Sequence, residues 1–281
     1  MTVTRLSETA YLIVTGAETE IKDFNWLKRH TPDDAHAVLT NVSSGMGVIS
    51  IMGPNSRELL QSICPNDLSH EAFPFATSQE IELGYAVVRA SRITYVGELG
   101  WELYIPTEFM TGVYDEIVAA GAAFGLKHCG YHALNALRME KAYRHWGHDI
   151  TDEDTPLEAG LGFAVKMDKV GGFIGRDALV AQKESGLKQR LVQFLLKSPE
   201  PMLYHNEPIW QGDRIAGYIR SGMYAHTLGG ACGLGHVDAA DGGVVGSIGA
   251  DDYEIEIAGI RYPVTASLKP LYDPSNARIK I

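Results

Sequence analysis

Apolar residues follow two different periods in the first half of the chain. Residues 2–6 alternate between polar and apolar positions, and residues 10–14, 38–42 and 47–52 are short segments of strand character. Apolar positions at helical spacing occur over residues 18–29, where Ile21, Phe24 and Leu27 share one face, and again over residues 107–123 and 132–144. A further helix is expected after Pro54, because proline suits the first helical turn. This part of the chain therefore predicts a body of mixed helices and strands.

The pattern changes near residue 187. After a helix over residues 176–184 that ends before Gly186, short strands alternate with Gly and Asp turns. These strands are expected over residues 190–196, 207–210, 214–220, 232–237, 253–257 and 260–264. This succession of short strands and turns predicts a small β-barrel or sandwich of about 90 residues. We therefore expect an α+β protein with one region over residues 1–187 and a β-rich second region over residues 188–281.

Composition narrows the class of protein. A chain of 281 residues with 45% hydrophobic and 21% charged side chains is long enough for two or three layered units. Its net charge of −11 argues against nucleic acid as a partner, and no apolar run approaches the roughly 20 residues of a membrane span. Three widely spaced cysteines, Cys64, Cys129 and Cys232, predict buried free thiols in a reducing compartment. We expect a cytoplasmic location.

Residues 91–104, with the sequence SRITYVGELGWELY, place polar side chains around one expected turn. The pattern predicts two strands on either side of a tight corner at Val96-Gly97-Glu98. Glu98, Glu102 and the Tyr95 phenol lie close to this corner, where a glycine lets backbone approach a ligand. Taken alone, the segment also fits a solvated hairpin with ordinary surface carboxylates.

The same segment resembles the Y-x-G-E-x-G-x-E signature of the folate-binding aminomethyltransferase family. That family includes the glycine cleavage T-protein and the C-terminal parts of dimethylglycine and sarcosine dehydrogenases. Further matches follow in family order: ALRMEKAYRHWG at residues 136–147, TPLEAGL at 155–161, FIGRDAL at 173–179 and KPLYDP at 269–274. The E-K-x-Y-R-x-W-G form is similar to the dimethylglycine and sarcosine enzymes. The resemblance implies a T-protein-like folate-binding region over residues 1–187 and a C-terminal β-barrel over residues 188–281.

The resemblance also implies an activity, which is tetrahydrofolate-dependent one-carbon transfer. In the dehydrogenase branch, a flavin domain or chain would oxidise an N-methyl amine to an iminium, and the reduced folate would take up its carbon. Tetrahydrofolate is the implied cofactor, and no flavin site is expected here. The Gly-rich stretches at residues 229–233 and 242–246 lack a strand–GxGxxG–helix context and are typical of β-turns. Two alternatives stay open: a non-catalytic folate-binding or structural module, and a different one-carbon demethylase or true T-protein on the same fold.

Site residues follow from the matched positions. By resemblance, Glu102 holds the N–H edge of the pterin, Tyr95 packs or hydrogen-bonds beside it, and Thr2 and Tyr272 contact the folate. Glu98 is expected to support the turn. The family's catalytic aspartate comes directly before a strand that MTVTRL matches, so it would precede Met1. We therefore expect a chain that is truncated at its N-terminus and lacks this carboxylate, which leaves the catalytic residue unknown and the activity of the isolated chain open.

Several other polar side chains lie in or near the matched motifs. Arg138 and Glu140 are interpreted as a structural ion pair, and Leu134 stands where T-proteins carry a folate-binding arginine. A polyglutamate tail would need a local basic patch, for which the candidates are Arg144, Lys166 and Lys269. Metal binding is disfavoured, because the histidines at positions 128, 132, 145 and 148 form no His-Glu-x-x-His motif.

Overall fold

A computed structural model describes residues 1–240, 243–250 and 252–281. The chain divides into two compact units. The first unit comprises Met1–Thr94, Glu98–Lys127 and Arg278–Ile281, and the second comprises Tyr95–Gly97 and His128–Ala277. None of the helices in the described ranges is both long enough and apolar enough to cross a bilayer.

The first unit begins with an antiparallel hairpin of β1 (Thr2–Arg5) and β2 (Tyr11–Val14), as expected. The following helix, α1 (Glu20–His30), buries its apolar face only in part, since Ile21 is 78% exposed and Phe24 and Leu27 are half-buried. The strand expected over residues 38–42 does not form. Val38 is 90% exposed and this stretch pairs with no strand among the described residues, so the strand character of its side chains was a misleading signal there.

A four-stranded antiparallel sheet forms the centre of the first unit. Its strands are β3 (Met46–Met52), β4 (Ser78–Leu83), β5 (Ala86–Ser91) and β6 (Gly100–Pro106), in the spatial order β3-β6-β5-β4. Two helices, α2 (Ser56–Ile63) and α3 (Met110–Gly121), belong to the same core. Successive side chains of a strand point to opposite faces, so Trp101, Leu103 and Ile105 enter this core together. Glu102 and Tyr104 consequently share the other face.

The tight corner expected at residues 96–98 is wrong in detail. Strands β5 and β6 do pair, with Ser91 opposite Glu102, but residues 92–99 form a longer connection between them. Gly97 has a φ of +76°, the left-handed conformation that glycine adopts without strain, so the positive-φ turn does exist. The connection is long because Arg92 turns into the interior, where its Nη1 donates to the Phe73 carbonyl at 2.6 Å.

Among its described residues, the second unit contains two α-helices and a closed barrel. The helices are α4 (Tyr131–Glu140) and α5 (Arg176–Ser185). The barrel strands are β7 (Gln189–Leu196), β8 (Pro208–Gln211), β9 (Arg214–Ala225), β10 (Gly230–Asp238), β11 (Glu254–Ile257) and β12 (Ile260–Ser267), in the closed order β10-β7-β12-β11-β8-β9. The alternative of a sandwich is therefore excluded. Buried apolar side chains such as Phe194, Ile219 and Val264 fill the barrel.

Helix α4 packs on the barrel wall and ends earlier than expected. Met139 shares a buried cluster with Cys232 and Leu234 of β10. The helix stops at Glu140 rather than near residue 144, because Ala142 adopts a left-handed φ of +54°. The Ala142 and Tyr143 amides then donate to the Met139 and Arg138 carbonyls at 2.9 and 3.0 Å, which is a Schellman termination.

The glycine-rich stretches are only partly turns. Gly229, with a φ of +77°, lies in the turn between β9 and β10, but residues 230–233 belong to β10 itself. In the second stretch, Gly242 lies outside the described residues, so the turn expected at residues 242–246 is not fully described.

Candidate functional site

Glu102 is a half-buried carboxylate near the middle of the sheet in the first unit. It lies on β6, opposite Ser50 of β3 and Ser91 of β5. The Tyr104 hydroxyl, two residues further along the same face, donates to Glu102 Oε2 at 2.6 Å. Burial raises the pKa of Tyr104 well above its usual value, and the bond to Glu102 adds to that effect, so the phenol stays protonated and remains a donor. Glu102 is thus a carboxylate with one oxygen fixed by the protein.

The other first-unit residues of interest lie in less constrained places. Thr2 is half-buried in β1, opposite Val14 of β2. Glu98 forms an ion pair with Arg278, with 3.7 Å between Oε2 and Nη1. That contact agrees with a supporting role for Glu98 in the connection between β5 and β6.

Tyr95 is anchored in the second unit. Its ring stacks on Tyr143, with 5.9 Å between centroids and 13° between planes, and its hydroxyl donates to the Arg144 carbonyl at 2.8 Å. Burial raises the pKa of Tyr95 to about 12. The hydroxyl is therefore already used by the protein, and the ring is the part of Tyr95 that remains to meet a ligand.

Tyr272 is held by its backbone. Its amide donates to the Glu140 carbonyl at 3.3 Å, and its own carbonyl lies 3.5 Å from Lys141 Nζ. Leu271, the residue before it, donates from its amide to Gln193 Oε1 of β7 at 2.9 Å. The end of α4 and the barrel wall thus fix the position of this segment.

The interpretation of Arg138 and Glu140 as an ion pair is wrong in its partners. Arg138 pairs with Asp149, and both side chains are buried. Glu140 instead accepts a hydrogen bond from the Thr227 amide at 2.6 Å. Asp149 also accepts from the His145 amide at 2.8 Å, so the pair closes the loop after α4. A role in structure is confirmed for Arg138, but with a different partner.

Arg144 is unsuited to a polyglutamate tail. Its guanidinium donates to three backbone carbonyls, those of Ala159 at 3.0 Å, Ala142 at 2.9 Å and Gly160 at 3.4 Å. Burial lowers the pKa of Arg144. Lys166 and Lys269 are exposed and stay candidates.

Two further expectations concern thiols and metals. Cys64 and Cys232 are buried free thiols, but Cys129 is exposed, so it does not fill an apolar site as predicted. Among the described residues, no group of three or more His, Cys, Asp or Glu side chains is placed to hold a metal ion.

The four predicted ligand contacts fall two in each unit. Glu102 and Thr2 lie in the first unit, and Tyr95 and Tyr272 lie in the second, where both are attached to the segment that ends α4. The sequence reasoning missed Tyr104, although its i, i+2 spacing from Glu102 on a strand was a usable signal. It also missed Lys141, the lysine of the E-K-x-Y-R-x-W-G motif, to which the motif alone assigns no role.

Comparison with known families decides where this arrangement belongs. The model of the GCVT N-terminal domain matches residues 1–169, and the model of the glycine cleavage T-protein C-terminal barrel domain matches residues 189–273. The chain belongs to the glycine cleavage T-protein family. The resemblance drawn from the motifs is therefore confirmed, and the six-stranded barrel corresponds to the family's C-terminal domain.

Relatives of this T-protein family member include longer proteins. The chain is 39% identical, over 99% of its length, to 4-methylaminobutanoate oxidase (formaldehyde-forming) from Paenarthrobacter nicotinovorans. It is 38% identical, over 96% of its length, to human mitochondrial sarcosine dehydrogenase. The chain spans 33% and 30% of those two proteins.

A solved structure supports the fold. The crystal structure of glycine cleavage system aminomethyltransferase T from Bartonella henselae matches with a TM-score of 0.82 and 20% sequence identity. The match covers 97% of this chain and 71% of that one.

Proposed function

We propose that this chain binds tetrahydrofolate and takes part in folate-dependent one-carbon transfer, as the folate domain of a dimethylglycine or sarcosine dehydrogenase-like enzyme. Membership of the T-protein family supports the reaction class. The relatives named as amine oxidase and sarcosine dehydrogenase support the branch. A flavin dehydrogenase domain or chain is the proposed partner, and an iminium derived from an N-methyl amine is the proposed one-carbon donor.

The observation that carries the proposal is the Tyr104–Glu102 pair. A folate pterin presents an N–H and NH₂ edge, which a carboxylate can hold through charge-assisted hydrogen bonds. Glu102 is half-buried in the family's motif, and Tyr104 holds its Oε2. That leaves Oε1 to accept from the pterin edge. An ordinary surface carboxylate would have neither the fixed geometry nor the partial removal from water.

The remaining residues would position the ligand. Tyr95 contributes an aromatic ring whose orientation is fixed by Tyr143 and by the Arg144 carbonyl. Tyr272 and Thr2 are proposed as further contacts. Tetrahydrofolate, when bound, supplies the nitrogen atoms that accept the one-carbon unit. The protein's own part is orientation and the exclusion of water around that edge, which lowers the entropic barrier to transfer.

A calorimetric titration with tetrahydrofolate under anaerobic conditions tests the proposal. We expect the wild-type chain to bind and Glu102→Gln to bind at least about tenfold more weakly, because a charged acceptor is exchanged for a neutral one. Glu82→Gln is the matched control, since Glu82 is an exposed carboxylate on β4 of the same sheet. This control should bind as the wild type does.

The outcomes separate the candidate functions. Equal binding by wild type and Glu102→Gln would remove Glu102 from the site, and no binding by the folded wild-type chain would contradict the proposal as a whole. Binding without methylene transfer from a supplied iminium donor would favour the alternative of a non-catalytic folate module. A cytoplasmic location is part of the proposal and rests on the free cysteines alone.

A further inference from the structure

Lys141 is a fully buried ammonium group at the end of α4. Its side chain is 0% exposed, and that of its partner Asp273 is 7% exposed. A buried charge is unfavourable unless it is paired and hydrogen-bonded. Here Nζ donates to Asp273 Oδ2 at 3.1 Å, to the Asp273 carbonyl, and at 3.5 Å to the Tyr272 carbonyl. These three acceptors of the ammonium all belong to residues 272 and 273.

The methylene groups of the same side chain support a second segment. A Cβ added at Gly97 would lie 3.0 Å from both Cγ and Cδ of Lys141, which is tighter than most contacts of a real Cβ. Gly97 also has a left-handed φ of +76°, so its backbone rests on the Lys141 stem in a conformation that favours glycine. Tyr95 lies two residues before this contact. One side chain therefore touches both segments that carry the predicted aromatic contacts.

Asp273 is fixed from several directions. Its backbone has a φ of +42°, which a non-glycine residue keeps only when its surroundings hold it there. Oδ1 accepts from the Ala277 amide at 2.9 Å and from the Ser275 hydroxyl at 3.3 Å, while Oδ2 faces Lys141. Removing the ammonium would leave Oδ2 and the two carbonyls without their shared donor. The segment over residues 271–273 should then loosen.

We infer that Lys141 is a positioning residue for the folate site, acting on Tyr95 through residues 95–97 and on Tyr272 through residues 271–273. The inference rests on the proposed function for the identity of the ligand. The statement that Lys141 holds the two segments in place rests only on contacts within the second unit. It assigns a role to the lysine of the E-K-x-Y-R-x-W-G motif, which none of the proposed ligand contacts explains.

Lys141→Met tests this role, because methionine keeps much of the stem and removes the ammonium. Two measurements are made on the full chain: amide hydrogen exchange of the ligand-free protein and the Kd for tetrahydrofolate. We expect exchange at residues 95–97 and 271–273 to be at least about tenfold faster than in wild type, and tetrahydrofolate to bind at least about tenfold more weakly, since small displacements of positioning groups have large effects. Asp273→Asn, which keeps the shape and tolerates a left-handed φ, should show the same two changes.

Val264→Ala is the matched control. It opens a cavity in the barrel core, in a buried cluster that contains neither Lys141 nor any residue of the two segments, and it should lower the melting temperature. It should leave exchange in the two segments and the Kd for tetrahydrofolate as in wild type. If Lys141→Met fails to fold, the same two measurements on Asp273→Asn test the inference.

The two proposals fail in different ways. Unchanged exchange at both segments, or a wild-type Kd for tetrahydrofolate in the folded variants, would overturn the positioning role. A wild-type chain that does not bind tetrahydrofolate would contradict the proposed function, and hydrogen exchange would still decide whether Lys141 holds the two segments.

Discussion

At the scale of single residues, two of the predicted ligand contacts, Glu102 and Tyr95, have polar atoms that are held by neighbouring groups. Glu102 could be located from the sequence because its motif places it on a strand next to a glycine-containing connection. Its donor Tyr104 could have been found from the i, i+2 spacing, which puts both side chains on one face. Lys141 could not have been found in this way, because its partner Asp273 is distant in the sequence.

Tyr104→Phe should weaken tetrahydrofolate binding about threefold to tenfold while lowering the free energy of unfolding by only about 1 kcal/mol. Tyr104 is 4% exposed, so the ring keeps its packing, but Glu102 loses the donor that fixes its orientation. The measurements are the Kd for tetrahydrofolate and the denaturant midpoint. Tyr253→Phe is the control, because that hydroxyl accepts a long hydrogen bond, 3.4 Å, from Gln211 Nε2 in the barrel. Equal Kd values for Tyr104→Phe and wild type would show that the hydrogen bond does not serve binding.

At the scale of secondary structure, the barrel strands were predictable and the element ends were less so. Short strand-like segments separated by Gly and Asp turns located the six strands β7 to β12. The end of α4 was missed, since an alanine in a left-handed conformation leaves no sequence signal comparable to glycine. The expected strand over residues 38–42 failed because a strand needs a pairing partner, which a local pattern cannot supply.

Strands β9 and β10 approach so closely that glycine is required at the contact. A Cβ added at Gly217 would lie 1.9 Å from the His236 carbonyl oxygen. We expect Gly217→Ala to lower the free energy of unfolding by about 3 kcal/mol or more, because the strands must separate to admit the methyl group. Thermal unfolding followed by circular dichroism would measure this effect.

Gly112→Ala is the matched substitution, and it should raise the free energy of unfolding rather than lower it. Gly112 lies in α3, is exposed and has no atom within 4 Å of an added Cβ. Alanine there should stabilise the chain by about 0.5–1 kcal/mol, since it restricts the unfolded backbone and favours helix. A Gly217→Ala variant as stable as wild type would contradict the close approach of the two strands.

At the scale of the whole molecule, the sequence established the family and the order of its regions. The motifs extend along nearly the whole chain, and the family models match residues 1–169 and 189–273. The predicted boundary between residues 187 and 188 stays a prediction. The roles of Glu102, Tyr95, Thr2 and Tyr272 also stay predictions. A sequence motif assigns a role only by analogy and contains no information on the free energy of binding.

Stability of the molecule toward acid should depend on one buried histidine. His236 of β10 lies 3.5 Å from Asp154, and burial lowers its pKa below the ordinary value. In unfolded chains histidine titrates near pH 6.5, so between that pH and the lower folded pKa the unfolded state binds more protons. Stability contributed by neutral His236 is therefore present above about pH 6.5 and is lost as the pH falls through the folded pKa, by up to about 1.4 kcal/mol per pH unit.

His236→Gln should flatten that loss. Urea unfolding between pH 7.5 and 5 would give the free energy of unfolding for wild type, for this variant and for His205→Gln, an exposed control. The free energy of unfolding of the wild type and of the control should fall in parallel as the pH drops. That of His236→Gln should fall less steeply. Parallel curves for all three would mean that His236 has no part in acid sensitivity.

The closed barrel has a consequence for how this module can be inherited. Once folded, a sheet that closes on itself offers no free edge to which a foreign strand could add, so it gives little opportunity for edge-to-edge aggregation. The open sheet of the first unit has its edges at β3 and β4, and on β4 the exposed carboxylates Glu80 and Glu82 discourage strand addition. The barrel can therefore be joined to further sequence without presenting a free strand edge. That property suits a family whose relatives include chains about three times as long.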